Sequence, residues 1–238
     1  MEIKDRTFMI TGASQGIGRS LALALSAAGA KVAVCARNEA ALLELAREIE
    51  SGGGQVFART CDIGDREGVE SFVHEAQKAL GSLDGLINNA GDLGPRLDVS
   101  EYPAERFEEV LRVNVIGTLN CTQAALAHLL KAEPGLVINI SSGLGRFGVA
   151  KVSAYCASKF AIEGFSQSLA DEHPGTALVV MAVAPGMVAT DMLRAFLDTP
   201  DVDSYLEPKQ VGEGFVKLIS GIDSGWTGRS LDIESFLD

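Results

Sequence analysis

Residues 7–18 read Thr-Phe-Met-Ile-Thr-Gly-Ala-Ser-Gln-Gly-Ile-Gly, an apolar stretch that runs into three glycines. The apolar part predicts a buried strand, and a helical pattern begins near Ile17. Glycines at 12, 16 and 18 permit a tight turn and a close approach of the backbone to a phosphate group. The start of a helix also offers free N–H groups and a partial positive charge. The stretch therefore predicts a dinucleotide-binding loop after the first strand of a β-α-β unit.

Apolar segments and longer helical segments alternate along the rest of the chain. Strands are predicted at Thr7–Thr11, Lys31–Ala36, Gln55–Thr60, Gly85–Asn88, Gly135–Ile140, Ala177–Ala184 and Ser230–Ile233. Helices are predicted at Ile17–Ala28, Glu39–Glu50, Asp65–Leu80, Ala104–Leu130, Ser153–Glu172 and Pro208–Ile219.

The predicted strands are apolar on successive residues, as in Val32–Val34 and Leu136–Ile138, which is typical of a sheet buried on both faces. Right-handed crossovers between such strands give an α/β fold, a Rossmann-type doubly wound sheet of about seven parallel strands with helices on both faces. We expect residues 1–238 to form one domain, because no linker-like change in composition interrupts them.

The chain is acidic, with a formal net charge of −12 and a pI near 4.7. Nucleic-acid surfaces concentrate Lys and Arg, so we expect no nucleic-acid partner. No apolar run reaches the length of a membrane span, and the first residues lack a signal-peptide pattern, so we expect a cytoplasmic protein without a membrane partner. The four cysteines show no ligand spacing, and we expect buried free thiols and no metal site.

The end of the second predicted strand bears on the choice of cofactor. NAD-selective sites usually hold a carboxylate there, which bonds the ribose hydroxyls. This chain has Ala36 followed by Arg37, and a guanidinium suits the extra phosphate of NADP(H). Ser14 and Asn38 are placed to add hydrogen bonds to that phosphate. The alternative is that Arg37 is an ordinary solvated loop charge.

Tyr155 and Lys159 are four residues apart in a predicted helix and therefore share one face. A nearby ammonium favours the phenolate and brings a tyrosine closer to the range in which proton transfer is efficient near neutral pH. Such pairs also occur on ordinary helix surfaces, so the pair alone does not establish a catalytic role.

Several motifs together resemble the short-chain dehydrogenase/reductase family, in its order and spacing over roughly residues 7–190. They are Thr11-Gly12-x-x-x-Gly16-x-Gly18, Asn88-Asn89-Ala90-Gly91, Asn114, Ser141-Ser142, Tyr155-x-x-x-Lys159 and Pro185-Gly186-Met187-Val188-Ala189-Thr190. The resemblance implies that Tyr155 donates a proton to a carbonyl substrate, and that Lys159 lowers the tyrosine pKa and bonds the nicotinamide ribose. It also implies that Ser142, rather than Ser141, polarises the carbonyl and that Asn114 holds a water near Lys159.

The resemblance also implies a set of contacts to NADP(H). Asp62 is expected at the adenine, Asn89 to Gly91 beside the ribose, and Thr190 at the nicotinamide carboxamide. Alternatives remain: Asp62 as a helix-entry residue, Thr190 as a helix cap, and Asn114 as an amide satisfied inside its helix. The expected cofactor-binding residues are Gly12, Ser14, Gly16, Ile17, Gly18, Arg37, Asn38, Asp62, Asn89, Ala90, Gly91, Tyr155, Lys159, Pro185, Gly186, Val188 and Thr190.

The segment of about 187–207 is expected to cover a small-molecule substrate. Its apolar residues, Met192, Leu193, Phe196, Leu197 and Tyr205 among them, suit a hydrophobic ketone, aldehyde or diketone but are equally suited to packing on the core. The strings Gly91–Pro95 and Ile140–Gly143 resemble the branch that contains sepiapterin and benzil reductases.

Several other functions stay open from the sequence. Within enzymes, a 3-oxoacyl-thioester reductase is the main alternative. A sensor that binds dinucleotide without turnover and, more remotely, a methyltransferase are the alternatives from other classes. A homodimer or homotetramer is expected, and a helix face with Phe160, Ala161, Phe165 and Leu169 suits the contact.

Overall fold

The computed structural model describes residues 1–237. Its strands are β1 (Thr7–Thr11), β2 (Lys31–Ala36), β3 (Gln55–Thr60), β4 (Gly85–Asn88), β5 (Gly135–Ile140), β6 (Leu178–Ala184) and β7 (Ser230–Asp232). Its helices are α1 (Gly16–Ala27), α2 (Glu39–Ser51), α3 (Arg66–Leu80), α4 (Ala104–Leu111), α5 (Gly117–Leu129), α6 (Ser153–Asp171), α7 (Asp191–Leu197) and α8 (Pro208–Ser220).

The seven strands form one parallel sheet in the order β3-β2-β1-β4-β5-β6-β7. The order reverses between β1 and β4, which are neighbours in the sheet although two strands separate them in sequence. Loops leaving β1 and β4 therefore diverge to opposite faces and open a crevice at the carboxyl ends of the strands. Ligands of doubly wound sheets bind at such a switch point.

Helices cover both faces of the sheet, which explains why the strands are apolar on successive residues. Ile10 of β1 packs in a core with side chains of α1, α2 and α8, including Leu21, Leu45 and Phe215. Met9, the preceding residue, points into a second core formed with α3, α5 and α6. The predicted doubly wound architecture is confirmed.

The predicted strand boundaries agree with the structure for β1 to β5. Strand β6 begins at Leu178 instead of Ala177, and β7 ends at Asp232 because Ile233 already belongs to a short 3₁₀ turn, Ile233–Phe236. Helix ends differ from the predictions by one residue at most for α1, α2, α3, α6 and α8.

The single helix predicted over Ala104–Leu130 is wrong. A π-helical turn at Arg112–Ile116 separates α4 from α5, and the main-chain N–H of Gly117 bonds the carbonyl of Arg112, five residues before it. The apolar pattern shifts by only one residue between the two helices, so the turn leaves little trace in the sequence. Turns of this kind are frequent at functional sites.

Helix α7 was not predicted, although it lies in the segment expected to cover the substrate. It has seven residues and begins after Thr190, whose hydroxyl accepts a hydrogen bond from the Leu193 N–H at 3.3 Å. Of all the helices within residues 1–237, none combines the length and the apolar character that crossing a bilayer requires.

Candidate active site

The glycine loop between β1 and α1 is shaped so that side chains do not fit. Gly12 has φ +66°, and a Cβ there would lie 2.7 Å from the Cα of Ala90. A Cβ on Gly18 would lie 2.4 Å from the carbonyl oxygen of Gly12. The loop therefore presents bare backbone at the N-terminus of α1, which is the arrangement that favours an anionic phosphate.

Asn89 holds this loop against the end of β4. Its Nδ2 donates to the carbonyl oxygens of Thr11 and Gly12, at 2.9 and 3.2 Å. The Thr11 hydroxyl in turn accepts from the N–H groups of Asn89 and Ala90, both at 3.0 Å. The side chains of Thr11 and Asn89 thus join β1 and β4 beyond the last backbone hydrogen bond between these strands.

Arg37 provides a cation at the adenosine end of the crevice. It follows β2 directly, is exposed, and has no hydrogen bond or ion pair to any of residues 1–237. Asn38 caps α2, because its Oδ1 accepts from the Ala41 N–H at 3.2 Å. Ser14 lines the same part of the crevice. The guanidinium is therefore available to a ligand, while the Asn38 oxygen already has a structural partner.

Asp62 combines the two roles considered for it from sequence. Its Oδ1 accepts from the Gly64 N–H at 2.9 Å, and its Oδ2 accepts from Nη2 of Arg112 at 3.0 Å. Burial works to raise the pKa of Asp62, but these two hydrogen bonds outweigh it and the net pKa is lowered. The carboxylate faces the crevice as an anion held by Arg112, and its contact with an adenine stays a prediction.

Ser142, Tyr155 and Lys159 line the other end of the crevice. Ser142 follows β5, and its hydroxyl accepts from the Leu144 N–H at 3.2 Å. Tyr155 and Lys159 lie one turn apart on α6, with the Lys159 Nζ 5.4 Å from the centre of the tyrosine ring. The hydroxyl of Ser141 is engaged elsewhere, donating to Glu163 at 2.5 Å. Both serines line the cleft, and the choice of Ser142 over Ser141 stays a prediction.

The pKa values of this pair differ from the sequence-based expectation. Burial raises the pKa of Tyr155 to about 12, and the nearby hydroxyl of Ser142 opposes it only in part. Burial also lowers the pKa of Lys159 to about 8, against the field of Glu163. The expected lowering of the tyrosine pKa is therefore not found. Lys159 instead donates to the carbonyl oxygen of Ile140 at 2.7 Å.

Asn114 lies in the π turn, and its side-chain amide is already well bonded. Nδ2 donates to the Asp92 carbonyl and to the Ser158 hydroxyl, both at 2.9 Å, and Oδ1 accepts from the Asp92 N–H at 2.7 Å. The amide therefore joins the loop after β4 to α6, so it is satisfied by partners outside its own helix rather than inside it. A water held by Asn114 stays a prediction.

The segment after β6 forms the wall opposite the glycine loop. Thr190 caps α7 and also donates to the Val188 carbonyl at 3.2 Å. Met187, Met192, Leu193 and Phe196 line the crevice, whereas Leu197 and Tyr205 do not. The expectation that this segment faces the substrate region is thus met by only part of its apolar residues.

These parts enclose one cleft with a volume of about 930 Å³. It contains every residue predicted from sequence for catalysis or cofactor binding except Gly18, which packs behind the loop, and Asn114. Its size falls in the range of small-molecule and cofactor sites.

The family model described as short chain dehydrogenase matches residues 6–201, which include the glycine loop, Tyr155 and Lys159. The chain belongs to the short-chain dehydrogenase family. The resemblance inferred from its motifs is thereby confirmed.

Members of the short-chain dehydrogenase family with similar chains differ in their substrates. An NADPH-dependent pterin aldehyde reductase of Arabidopsis thaliana is 34% identical over 97% of this chain and 94% of its own length. A 3-oxoacyl-(acyl-carrier-protein) reductase of Staphylococcus aureus is 34% identical over 81% of this chain and 78% of its own. A short-chain dehydrogenase from Shigella flexneri, solved with NADP, has a TM-score of 0.91 and 34% identity and covers 98% of both chains.

Sequence reasoning missed three features of this short-chain dehydrogenase site. Arg112 holds Asp62, Phe147 lines the substrate end of the cleft, and Glu163 is buried behind Ser141. Each of these side chains acts across a gap of more than twenty residues or from an irregular loop. Local spacing in the sequence does not predict such contacts. Glu163 gave the one hint, because it is an acidic residue at a position that the helical pattern places toward the core.

Proposed function

We propose that this protein is an NADPH-dependent reductase of neutral, apolar carbonyl compounds, with Tyr155 as the proton donor. The observation that carries the proposal is the convergence of Ser142, Tyr155 and Lys159 on a cleft whose other end is the glycine loop. Hydroxyls and a cation at one end suit a reacting carbonyl, and bare backbone at the other suits a dinucleotide phosphate.

NADPH fits the residues at the cofactor end. The backbone of Gly12 leaves room that a Cβ would fill, and the free Arg37 guanidinium is suited to an additional phosphate. The solved relative that holds NADP and the NADPH-dependent plant relative support the same choice. We expect Ser14, which also lines the cleft, to share in binding that phosphate.

The reaction needs a hydride and a proton, and the reduced nicotinamide supplies the hydride when it is bound. Ser142 donates a hydrogen bond to the carbonyl oxygen and stabilises the negative charge that develops there. Tyr155 gives its phenolic proton to that oxygen. Because burial raises the pKa of Tyr155 to about 12, the phenol is protonated at neutral pH, which suits the reducing direction. The ammonium of Lys159 then stabilises the phenolate that remains.

The substrate end of the cleft is apolar and exposed. Phe147, Met187, Val149 and Met192 line it, with 58%, 40%, 39% and 37% of their surfaces exposed. Large apolar side chains exposed together around a concave site mark a surface that an apolar ligand covers. A substrate with an aromatic or aliphatic body beside its carbonyl would bury these four residues.

Charges near that end favour a neutral substrate. Arg194 is paired with Asp191 at 3.0 Å, and Arg146 is paired with Asp232 at 2.8 Å. The carboxylate of Glu234 also lines the cleft and has no ion pair with any described residue. The two arginines near that end are already paired, Lys159 is buried and bonded to the Ile140 carbonyl, and Glu234 would repel a ligand carboxylate, so keto acids should be poor substrates.

Replacement of Tyr155 by Phe tests the assignment. We expect turnover to fall by about 10²–10⁴-fold, because one proton-transfer group is lost, while NADPH binding measured by fluorescence titration is retained. Tyr102→Phe is the matched control: its buried hydroxyl has no hydrogen-bond partner within residues 1–237 and does not line the cleft. Most of the activity surviving in Tyr155→Phe would refute the role.

A screen of NADPH consumption separates the competing functions. The substrates compared are an aromatic diketone, an aliphatic ketone, a pterin aldehyde, an α-keto acid and an acetoacetyl thioester. Highest kcat/KM on the diketone supports the proposal, while highest kcat/KM on the thioester supports the 3-oxoacyl reductase alternative, which the Staphylococcus aureus relative favours. Tight NADPH binding without turnover on any of them would indicate a sensor.

We further propose a homodimer or homotetramer in the cytoplasm. Phe160 on α6 and Ile116 in the π turn, which packs on α6, are exposed by 48% and 46% and form an apolar face suited to a second copy. Phe165 and Leu169, also expected at this face, pack in the core instead. The free state of all four cysteines accords with a reducing compartment. Light scattering measures the assembly.

A further inference from the structure

Two contacts join the end of β5 to consecutive turns of α6. Lys159 donates to the carbonyl oxygen of Ile140 at 2.7 Å, and the hydroxyl of Ser141 donates to Oε1 of Glu163 at 2.5 Å. Ile140 and Ser141 are adjacent in the chain, and Lys159 and Glu163 are four residues apart. The contact between Ser141 and Glu163 therefore fixes the position of the backbone before Ser142 along the axis of α6, the helix that carries Lys159.

Glu163 is only 8% exposed, and a buried carboxylate is costly unless other groups compensate its charge. Ser141 supplies one hydrogen bond, and the Nε of Arg146 lies 3.9 Å from Oε1. Arg146 is itself held by both carboxylate oxygens of Asp232, at 2.8 and 2.9 Å. Retention of an acid at this depth, where a neutral acceptor would satisfy Ser141, indicates that its charge has a use.

The group that stands to benefit is Lys159, which is 5% exposed. On its own helix it faces Tyr155 and Glu163; from β5 it meets the neutral carbonyl of Ile140. From the loop after β4 its ammonium lies near the neutral Gly91. Among the described residues, Glu163 is thus the anion that offsets the cost of burying the ammonium, and Arg146 opposes Glu163 from the loop after β5.

We propose that Glu163 is a positioning residue for the reaction: its buried carboxylate fixes the end of β5 through Ser141 and keeps Lys159 in its ammonium form. It touches neither substrate nor cofactor and acts through these two neighbours. The inference rests on the proposed function, because the ammonium matters only if Lys159 supports Tyr155 in proton transfer.

Glu163→Gln separates charge from geometry, since the amide oxygen still accepts from Ser141. In the pH profile of kcat for NADPH-dependent reduction, the alkaline limb set by Lys159 should move to lower pH by roughly one unit. Glu163→Asp retains the charge and should return the limb toward its original position. Asp171→Asn removes the same charge from the exposed end of α6 and should leave the profile unchanged.

A second variant should shift the alkaline limb of the pH profile in the opposite direction. Arg146→Gln removes the cation beside Glu163, so the ammonium of Lys159 should become more stable and the alkaline limb should move to higher pH. This variant also tests the proposal if Glu163→Gln fails to fold. An unshifted limb in a folded Glu163→Gln protein, or equal shifts in Glu163→Gln and Asp171→Asn, would overturn the proposal.

A readout that needs no turnover is the titration of Lys159 followed by NMR of lysines labelled at Cε, with the signal assigned by its loss in Lys159→Met. Glu163→Gln should lower the midpoint of that titration. If the midpoint shifts but the wild-type protein reduces no carbonyl, the proposed function fails and the electrostatic link stands. If carbonyl reduction requires Tyr155 but the midpoint does not shift, only the role of Glu163 fails.

Discussion

The two ends of the cleft are lined by different parts of the chain, one by backbone and the other by side chains. At the cofactor end the surface is backbone, exposed because Gly12 and Gly16 carry no side chain, and fixed by the hydrogen bonds of Asn89. At the substrate end the surface consists of exposed side chains such as Phe147 and Met192, which stand on loops and on the short α7. At the cofactor end only glycine fits the backbone positions, whereas at the substrate end many apolar residues of similar size could take the same positions.

The difference teaches where a change should be tolerated. A phosphate bound by main-chain N–H groups is lost when the backbone moves, so substitutions at the cofactor end should affect folding and binding together. An apolar ligand bound by exposed side chains is affected by single contacts, so substitutions at the substrate end should alter specificity and leave stability unchanged.

The largest effect is expected from Gly12→Ala, which tests whether the cofactor end tolerates any side chain. The new Cβ would be strained at φ +66° and would collide with the backbone of Ala90. We expect the free energy of unfolding to fall by about 3 kcal/mol, with loss of measurable NADPH binding. Chemical denaturation and fluorescence titration measure the two quantities.

Gly81→Ala is the matched control, because Gly81 has φ +90° but a Cβ added there would meet nothing within 4 Å. It should cost only the conformational strain of about 1 kcal/mol, without an effect on NADPH binding. If both variants lost the same stability and Gly12→Ala still bound NADPH, the steric account of the loop would be wrong.

An intermediate effect is expected from Phe147→Ala at the substrate end. Removing this side chain should lower kcat/KM for an aromatic ketone by about tenfold, equivalent to roughly 1.4 kcal/mol of lost contact. Because the ring is 58% exposed, the free energy of unfolding should hardly change. Steady-state kinetics with an aromatic and a small aliphatic ketone measure the selectivity.

Phe160→Ala provides the comparison, since Phe160 is 48% exposed on α6 but does not line the cleft. It should leave kcat/KM for both ketones little changed. An equal loss in the two variants, or a Phe147→Ala protein that is impaired alike on both ketones, would mean that the substrate end is not a specificity surface.

The smallest effect is expected from Arg37→Ala, which removes the exposed guanidinium at the cofactor end of the cleft. The KM for NADPH should rise by about fivefold, with the KM for NADH little changed, and the difference should shrink as salt is added because the site is exposed. Arg47→Ala, an exposed arginine of α2 outside the cleft, is the control. Equal catalytic efficiency of the unaltered protein with NADPH and NADH would contradict the preference.

Prediction from the sequence was most accurate where local chemistry determines the structure. The strands β1 to β5 were located to the residue, and in β1, β2, β4 and β5 burial on both faces gives the sequence nearly continuous apolar runs. The glycine loop was identifiable because steric exclusion acts on single residues. The π turn and α7 were missed, since a shift of the apolar pattern by one residue is small against the helical period and α7 has only seven residues.

Side-chain pairs distant in sequence were also missed. Arg112 meets Asp62 across fifty residues, and Glu163 meets Ser141 across twenty-two. The pKa of Tyr155 was expected in the wrong direction for a related reason: burial depth is a property of the whole fold, whereas the spacing to Lys159 is local. The spacing of Tyr155 and Lys159 identified the candidate reacting groups, whereas their pKa values depend on how deeply the whole fold buries them.

The π turn has the geometric effect of one inserted residue in a long helix. Deleting a residue within Arg112–Ile116 would restore continuous α-helical hydrogen bonding and would rotate everything after it by about 100° around the helix axis. Cys121, Ala125 and Leu129 of α5, which now pack in the core, would then turn away from it. The number of residues in this turn is therefore under stronger constraint than their identity, and a shortened turn would disrupt the core far from the cleft.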